Sequence, residues 1–163
     1  MRKNTGFTLV ELIVVIVIVG ILAAVAYPRF IQLQKETRLA ALGGLAGGMR
    51  STLALVRGKY IFTPVEEIFA DGRVNIADAP GVFKGTPIGN IEGIGATFDC
   101  VAKGALYDCQ GFFVSGMNAP DAKSKWYPAS TAFNANTKCY VEYDGKNGNI
   151  TVEIGDNEGN GCK

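Results

Sequence analysis

The sequence predicts an α+β protein: one long N-terminal helix, apolar in its first half and amphipathic in its second, packed on a small antiparallel sheet. Three observations predict it. Residues 12–28 form an apolar run without a single charge. Beyond Pro28, apolar residues recur mostly at threes and fours as far as Val56, the period of a helix with one buried stripe. The C-terminal part reads as short strands punctuated by Gly, Asn and Asp, and it holds all four cysteines. A length of 163 residues suits one compact domain with one appendage.

The first element begins behind two basic residues, Arg2 and Lys3, and carries one acid, Glu11. Counted from Phe7, the apolar segment gives about 20 residues, enough to cross a bilayer at 1.5 Å per residue. A carboxylate at mid-membrane costs roughly 2.5–3.5 kcal/mol on the most lenient scale, so Glu11 is expected to have a partner. Three roles compete for the segment. It could be a cleaved secretory signal, with Ala24-Val25-Ala26 as the small-residue cleavage site. It could be a plain anchor, or a membrane-stored helix destined for an assembly. Glu11 at the mouth of the apolar region argues against the first. Basic residues flank both ends, with Arg29, Lys35 and Arg38 following the segment, so charge bias does not set orientation. The cysteines do, because disulfides place the C-terminal part outside the cytoplasm.

Pro28 lacks a backbone N–H and crowds the preceding turn, so a kink or local unwinding is expected there. Beyond it Phe30, Leu33, Leu42, Leu45, Met49, Leu53 and Val56 make the stripe that meets the core. Gly43, Gly44, Gly47 and Gly48 cost the helix up to about 1 kcal/mol each against alanine. Close approach of a strand or second helix is the favoured explanation, and a hinge under tension is the alternative. Gly58 is expected to end the helix. Thr63, Pro64 and Glu66 signal a short helix over 64–70. Residues 71–95, rich in Gly and Pro, read as loop.

Strands are expected at 96–101 and 105–110, joined through Ala102, Lys103 and Gly104, with 112–115 extending the second strand. A clearer hairpin joins 138–143 to 149–154 around 144–148. Tyr140, Ile150 and Val152 should line one side. Three to five strands are expected in all. The local group Trp126, Tyr127 and Pro128 is read as buried packing rather than a sugar platform. Asn149-Ile150-Thr151 fits a glycosylation sequon, but a threonine in a strand is the preferred reading. Of the three pairings open to four cysteines, Cys100–Cys109 and Cys139–Cys162 are favoured because each closes a local loop. Zinc is disfavoured, since no short Cys-x-x-Cys knuckle is present.

A net charge of +1 gives no case for nucleic acid as a partner. The absence of histidine excludes Ser-His-Asp and Cys-His catalysis. No carboxylate pair stands out, so no enzyme activity is expected.

Gly6-Phe7-Thr8-Leu9-Val10-Glu11, ahead of the apolar stretch and Pro28, resembles the prepilin leader and first helix of type IV pilins. The likeness is sharpest over residues 1–60. Arg29-Phe30-Ile31-Gln32-Leu33-Gln34 with the later Ala41-Leu42-Gly43-Gly44-Leu45 run is similar to the mannose-sensitive haemagglutinin (MSHA) pilins in particular. The resemblance implies a leader at 1–6, a membrane and filament-core helix at 7–28, and a pilin head at 29–163. It implies cleavage between Gly6 and Phe7 by a prepilin peptidase, N-methylation of Phe7, and a charge pair between Glu11 and the Phe7 amine of a neighbouring copy. The partners would be further copies in a helical filament, the inner membrane before assembly, and the pilus assembly machinery. The end product would be a surface pilus for adhesion; the alternative is a pseudopilin of type II secretion. No cofactor is implied. Some related pseudopilins bind calcium near the C-terminus, which makes Asp144, Asn147, Asn149, Asp156 and Glu158 the calcium candidates here. They lack the EF-hand spacing, and turn chemistry accounts for them.

Overall fold

The computed structural model describes residues 6–62, 73–74, 82–83, 85–119, 121–131, 137–155 and 160–162. Helix α1 runs unbroken over Leu9–Phe62, 54 residues, or about 80 Å. It passes through Pro28 without unwinding and continues four residues beyond Gly58. Nothing has to end the helix at Gly58: residues 61 and 62 are exposed and still helical. The short helix expected at 64–70 lies outside the described residues.

Three two-residue strands follow: β1 (Arg73–Val74), β2 (Val82–Phe83) and β3 (Thr86–Pro87), paired antiparallel in the order β1-β2-β3. An irregular helical turn covers Ile91–Gly95, capped by Asn90 Oδ1 accepting from the Gly93 N–H at 2.9 Å. A 3₁₀ turn covers Ala96–Phe98. The second sheet has six antiparallel strands in chain order: β4 (Val101–Lys103), β5 (Leu106–Cys109), β6 (Phe112–Ser115), β7 (Lys123–Pro128), β8 (Tyr140–Asp144) and β9 (Ile150–Glu153). A last 3₁₀ turn spans Asn160–Cys162.

The α+β architecture is therefore as the sequence predicts, with several corrections. Among the described residues the second sheet has six strands, against the three to five expected. Residues 112–115 do not prolong the preceding strand. The chain reverses at Gln110 and Gly111, whose φ values of 50° and 91° make a two-residue hairpin turn, so β6 lies back along β5. The strand expected from residue 96 starts only at Val101. The 3₁₀ turn before it is held by Thr97 Oγ1–H donating to the Ile94 carbonyl at 2.7 Å and closes at Asp99, φ 48°. Residues 71–95 are not plain surface loop. They contain β1 to β3, and Val82, Ile88 and Ile94 are core residues.

The core lies between one side of α1 and one face of the six-stranded sheet. Leu42, Leu45, Ala46, Met49 and Leu53 meet Ile94, Val114, Met117, Trp126, Val141 and Tyr143. Full burial of side chains such as Leu42 and Met49 contributes roughly 1.5–3 kcal/mol each. The stripe starts later than expected: Phe30 and Leu33 remain 58% and 59% exposed, because the helix projects beyond the sheet there. In the last hairpin the register sets Val141 opposite Val152 and Tyr143 opposite Ile150. That puts Tyr140 on the other face, where it packs on Tyr127 at 5.3 Å and under the Lys125 ammonium at 4.8 Å. Trp126 is fully buried.

The disulfides are Cys100–Cys109, spanning the β4–β5 hairpin, and Cys139–Cys162, tying the C-terminal turn to the start of β8. Arg38 adds a clamp. Its guanidinium donates to the Cys162 carbonyl at 3.0 Å and the Ser130 carbonyl at 2.7 Å, joining α1 to both connections that flank this cystine.

Gly148 shows why the last hairpin can lie against the helix. Its φ is +73°, and a Cβ there would stand 2.4 Å from Thr86 Cγ2 and 2.9 Å from Leu53 Cδ2. The four helix glycines behave differently. An added Cβ at Gly43, Gly44 or Gly47 meets nothing within 4 Å, and at Gly48 only the Phe98 ring at 3.8 Å. The close approach expected there is absent among the described residues; those glycines lie on the exposed side of α1.

Tyr143 crosses the core and donates its hydroxyl proton to the Pro87 carbonyl, linking the two sheets. Burial pushes its phenol well above the tyrosine range; the Arg57 cation opposes the shift. The unfolded chain releases this proton at about pH 10, while the folded chain keeps it. Stability from this group is whole below that pH and falls as pH rises above it. Tyr143→Phe should flatten the alkaline fall in melting temperature and cost about 1 kcal/mol at neutral pH. Tyr127, also raised by burial, leaves a residual slope. Denaturation series between pH 7 and 11.5 measure both terms.

Candidate functional site

Among the described residues, the first half of α1 is left uncovered by the head. Every residue from Gly6 to Gln34 is exposed. Leu12, Ile16, Ile21, Leu22, Val25 and Tyr27 are each at least 60% exposed. By length and composition the helix can cross a membrane. In water such an apolar cylinder would be strongly unfavourable, so it requires lipid or other helices around it.

Its start is built by Thr8 and Glu11. The Thr8 N–H and the Thr8 hydroxyl both donate to Glu11 Oε2, each at 2.9 Å, and the Glu11 N–H donates to Thr8 Oγ1 at 3.2 Å. This is a capping box, in which two N–H groups that the first turn cannot satisfy are served reciprocally. An acid in the first turn also favours the positive end of the helix dipole. Sequence reasoning looked for a cation beside Glu11 and overlooked Thr8, although Thr-x-x-Glu ahead of an apolar run is a capping-box spacing. Among the described residues Glu11 has no cationic partner, and its Oε1 makes no hydrogen bond. The carboxylate therefore has one oxygen committed to its own helix and one available.

Phe7 lies immediately before this cap and is 90% exposed. An ideal Cβ at Gly6 meets nothing within 4 Å. The peptide bond between them is thus in the open, at the end of the helix. Residues 1–5 lie outside the described set.

The calcium candidates are only partly described. Asp144 Oδ1 accepts from the Lys146 N–H at 2.9 Å, and Asn147 Oδ1 accepts from the Asn149 N–H at 2.8 Å. These are side-chain turns that shape the β8–β9 connection. Asp156 and Glu158 lie outside the described residues. Among the described residues no group of three His, Cys, Asp or Glu side chains could hold a metal. The stretch 85–89, part of the region read as loop, is buried. Thr86 and Pro87 pair with β2, and Ile88 points into the interior.

Comparison with known proteins bears on the same end of the chain. The model of the prokaryotic N-terminal methylation motif matches residues 1–27. The chain is 44% identical over 71 residues to the type IV narrow pilus major component PilA5 of Thermus thermophilus, covering 42% of this chain and 60% of that protein. It is 33% identical over 85 residues to a fimbrial protein of Moraxella nonliquefaciens, covering 52% and 51%. It is 45% identical over 69 residues to a type IV major alpha-pilin of Moraxella bovis, covering 40% of each. The chain thus spans about 60% or less of the length of these relatives. No solved structure matches it significantly.

Proposed function

We propose that this chain is the precursor of a type IV pilin and that its mature form is the major structural subunit of a surface filament. The observation that carries this reading is the bare apolar half of α1, headed by a capped Glu11 and an exposed Gly6–Phe7 bond, in a chain whose first 27 residues match the methylation motif. Residues 1–6 act as leader, 7–28 as membrane anchor and then filament core, and 29–163 as head. A prepilin peptidase cuts after Gly6, and the new Phe7 amine is methylated. The anchor holds the subunit in the inner membrane until the assembly machinery draws it into the filament.

Lipid-embedded helices gain little hydrophobic energy by meeting one another. Packing and a specific polar contact must therefore set the register of assembly. The free Oε1 of Glu11 is suited to the Phe7 ammonium of an adjoining copy, because a carboxylate in a low-dielectric bundle is tolerable only when paired. Head-to-tail contacts that do not close give an open helical polymer. The particular likeness to MSHA pilins points to adhesion as the filament's use.

The test is the mature N-terminus. Mass analysis of the protein purified from its own cells should find methyl-phenylalanine at position 7. Gly6→Val should leave the leader uncut, with only the full-length form in the membrane and at least about 90% of filaments lost. A chain that starts at Tyr27 would mean a secretory signal cleaved after Ala26 and would end the pilin reading.

A further inference from the structure

The charge of this chain is divided between its two layers. Of 16 basic and 15 acidic residues, 29–62 hold six bases and one acid, Glu36. Residues 63–163 hold eight bases and thirteen acids, and the remaining two bases and one acid precede residue 29. The second half of α1 thus carries +5 and the remainder of the head −5.

Folding does not neutralise this division at one place. A groove of about 300 Å³ runs between α1 and the start of edge strand β9, lined by Arg50, Ala54 and Arg57 from the helix and Gly148, Asn149 and Ile150 from the hairpin. Arg50 and Arg57 lie seven residues apart, about 10 Å along one side of the helix. Both are exposed, and neither meets a carboxylate among the described residues. The ion pairs seen there, Lys103–Asp108 at 3.3 Å and Lys123–Glu142 at 2.9 Å, lie on the outer face of the sheet. Glu92 and Asp121, in turns of the head, are exposed and make no ion pair among the described residues.

We infer that the Arg50–Arg57 groove is a docking site for the acidic head of a second copy of this chain. Two unpaired guanidiniums at a fixed spacing suit carboxylates, which they can bind in a bidentate manner. Each copy supplies both halves of the match, a basic helix side and an acidic head. That makes the contact heterologous, with different surfaces meeting, and such contacts propagate rather than close. The inference rests on the filament reading and adds a polar contact outside the apolar bundle. It sets rotational register through the heads, independently of Glu11.

Two measurements on the full chain in its own cells test it. A photo-crosslinking amino acid at Ala54 should capture another copy within residues 63–163. The double variant R50E/R57E should lose about tenfold or more of its filaments, since opposed like charges penalise assembly. The processed monomer, with both disulfides intact by thiol trapping, should accumulate in the membrane. Crosslinks confined to residues 9–28 of a neighbour, or to a different protein, would overturn the inference. So would parental filament yield in R50E/R57E; the pilin reading would survive either result. A parent chain that makes no filaments at all would remove that reading and this inference together.

Discussion

Trp126→Ala should lower the stability of the head by about 3–5 kcal/mol, the range for removing a large buried aromatic. The indole is fully buried in β7 at the centre of the sheet. It meets the Phe98 ring edge-on at 5.2 Å between centroids and donates its Nε1–H to Ser124 Oγ at 2.9 Å. Ser124 is itself fully buried, so truncation leaves both a cavity and a polar atom without its partner, and the second defect alone costs about 1–3 kcal/mol. Against a typical total of about 5–15 kcal/mol, this is a large share. The head of the detergent-solubilised chain should melt roughly 10–30 °C lower. Trp126→Phe restores most of the volume but not the donor, and should fall between. Equal melting of Trp126→Ala and the parent would show that the helix and sheet do not rely on this contact.

How much of the molecule was legible beforehand follows from where each signal resides. The bare half of α1 could be read directly, because an uncharged run needs no tertiary information. The stripe from Leu42 to Val56 was legible for the same reason. Its starting point was not: Phe30 and Leu33 continue the period, but only the sheet decides where cover ends. The β8–β9 hairpin was legible from its turn residues, yet the choice of Val141 and Tyr143 over Tyr140 as core was not, since a one-residue shift exchanges the faces. β7 escaped notice because its lysines alternate with serine and an aromatic, and it ends in Pro128. The reversal at Gln110–Gly111 escaped because glutamine is not a residue that advertises positive φ.

The candidate site shows the opposite balance. Glu11 drew attention through its charge, and the expectation of a partner was sound physics. The partner within the chain is three residues away and neutral. A charge criterion searches for charges, whereas the first turn of a helix needs acceptors for its N–H groups. The cap is observed and the ion pair is proposed, and the two oxygens of one carboxylate are enough to serve one each. The exposed glycine side of α1 is similar: the sequence showed a cost, and among the described residues only the Phe98 ring comes within 4 Å of a Cβ built on any of the four.

Glu11→Gln should therefore separate the two roles of that side chain. Glutamine at this position still completes a capping box, so α1 should start at the same place and membrane insertion and leader removal should continue. The charge is lost, and with it the proposed pairing to a neighbouring Phe7 amine, so filament yield should fall by about a hundredfold; a buried ammonium without its counter-ion costs about 3–5 kcal/mol. Thr8→Ala makes the complementary change. It removes the cap, at about 1 kcal/mol, and retains the carboxylate, so filaments should persist with at most about a fivefold loss. Sheared filament yield and membrane-bound processed subunit, quantified together for both variants, decide the matter. If Thr8→Ala is the crippled variant and Glu11→Gln assembles normally, Glu11 serves its own helix alone, and register must come from contacts elsewhere along the subunit.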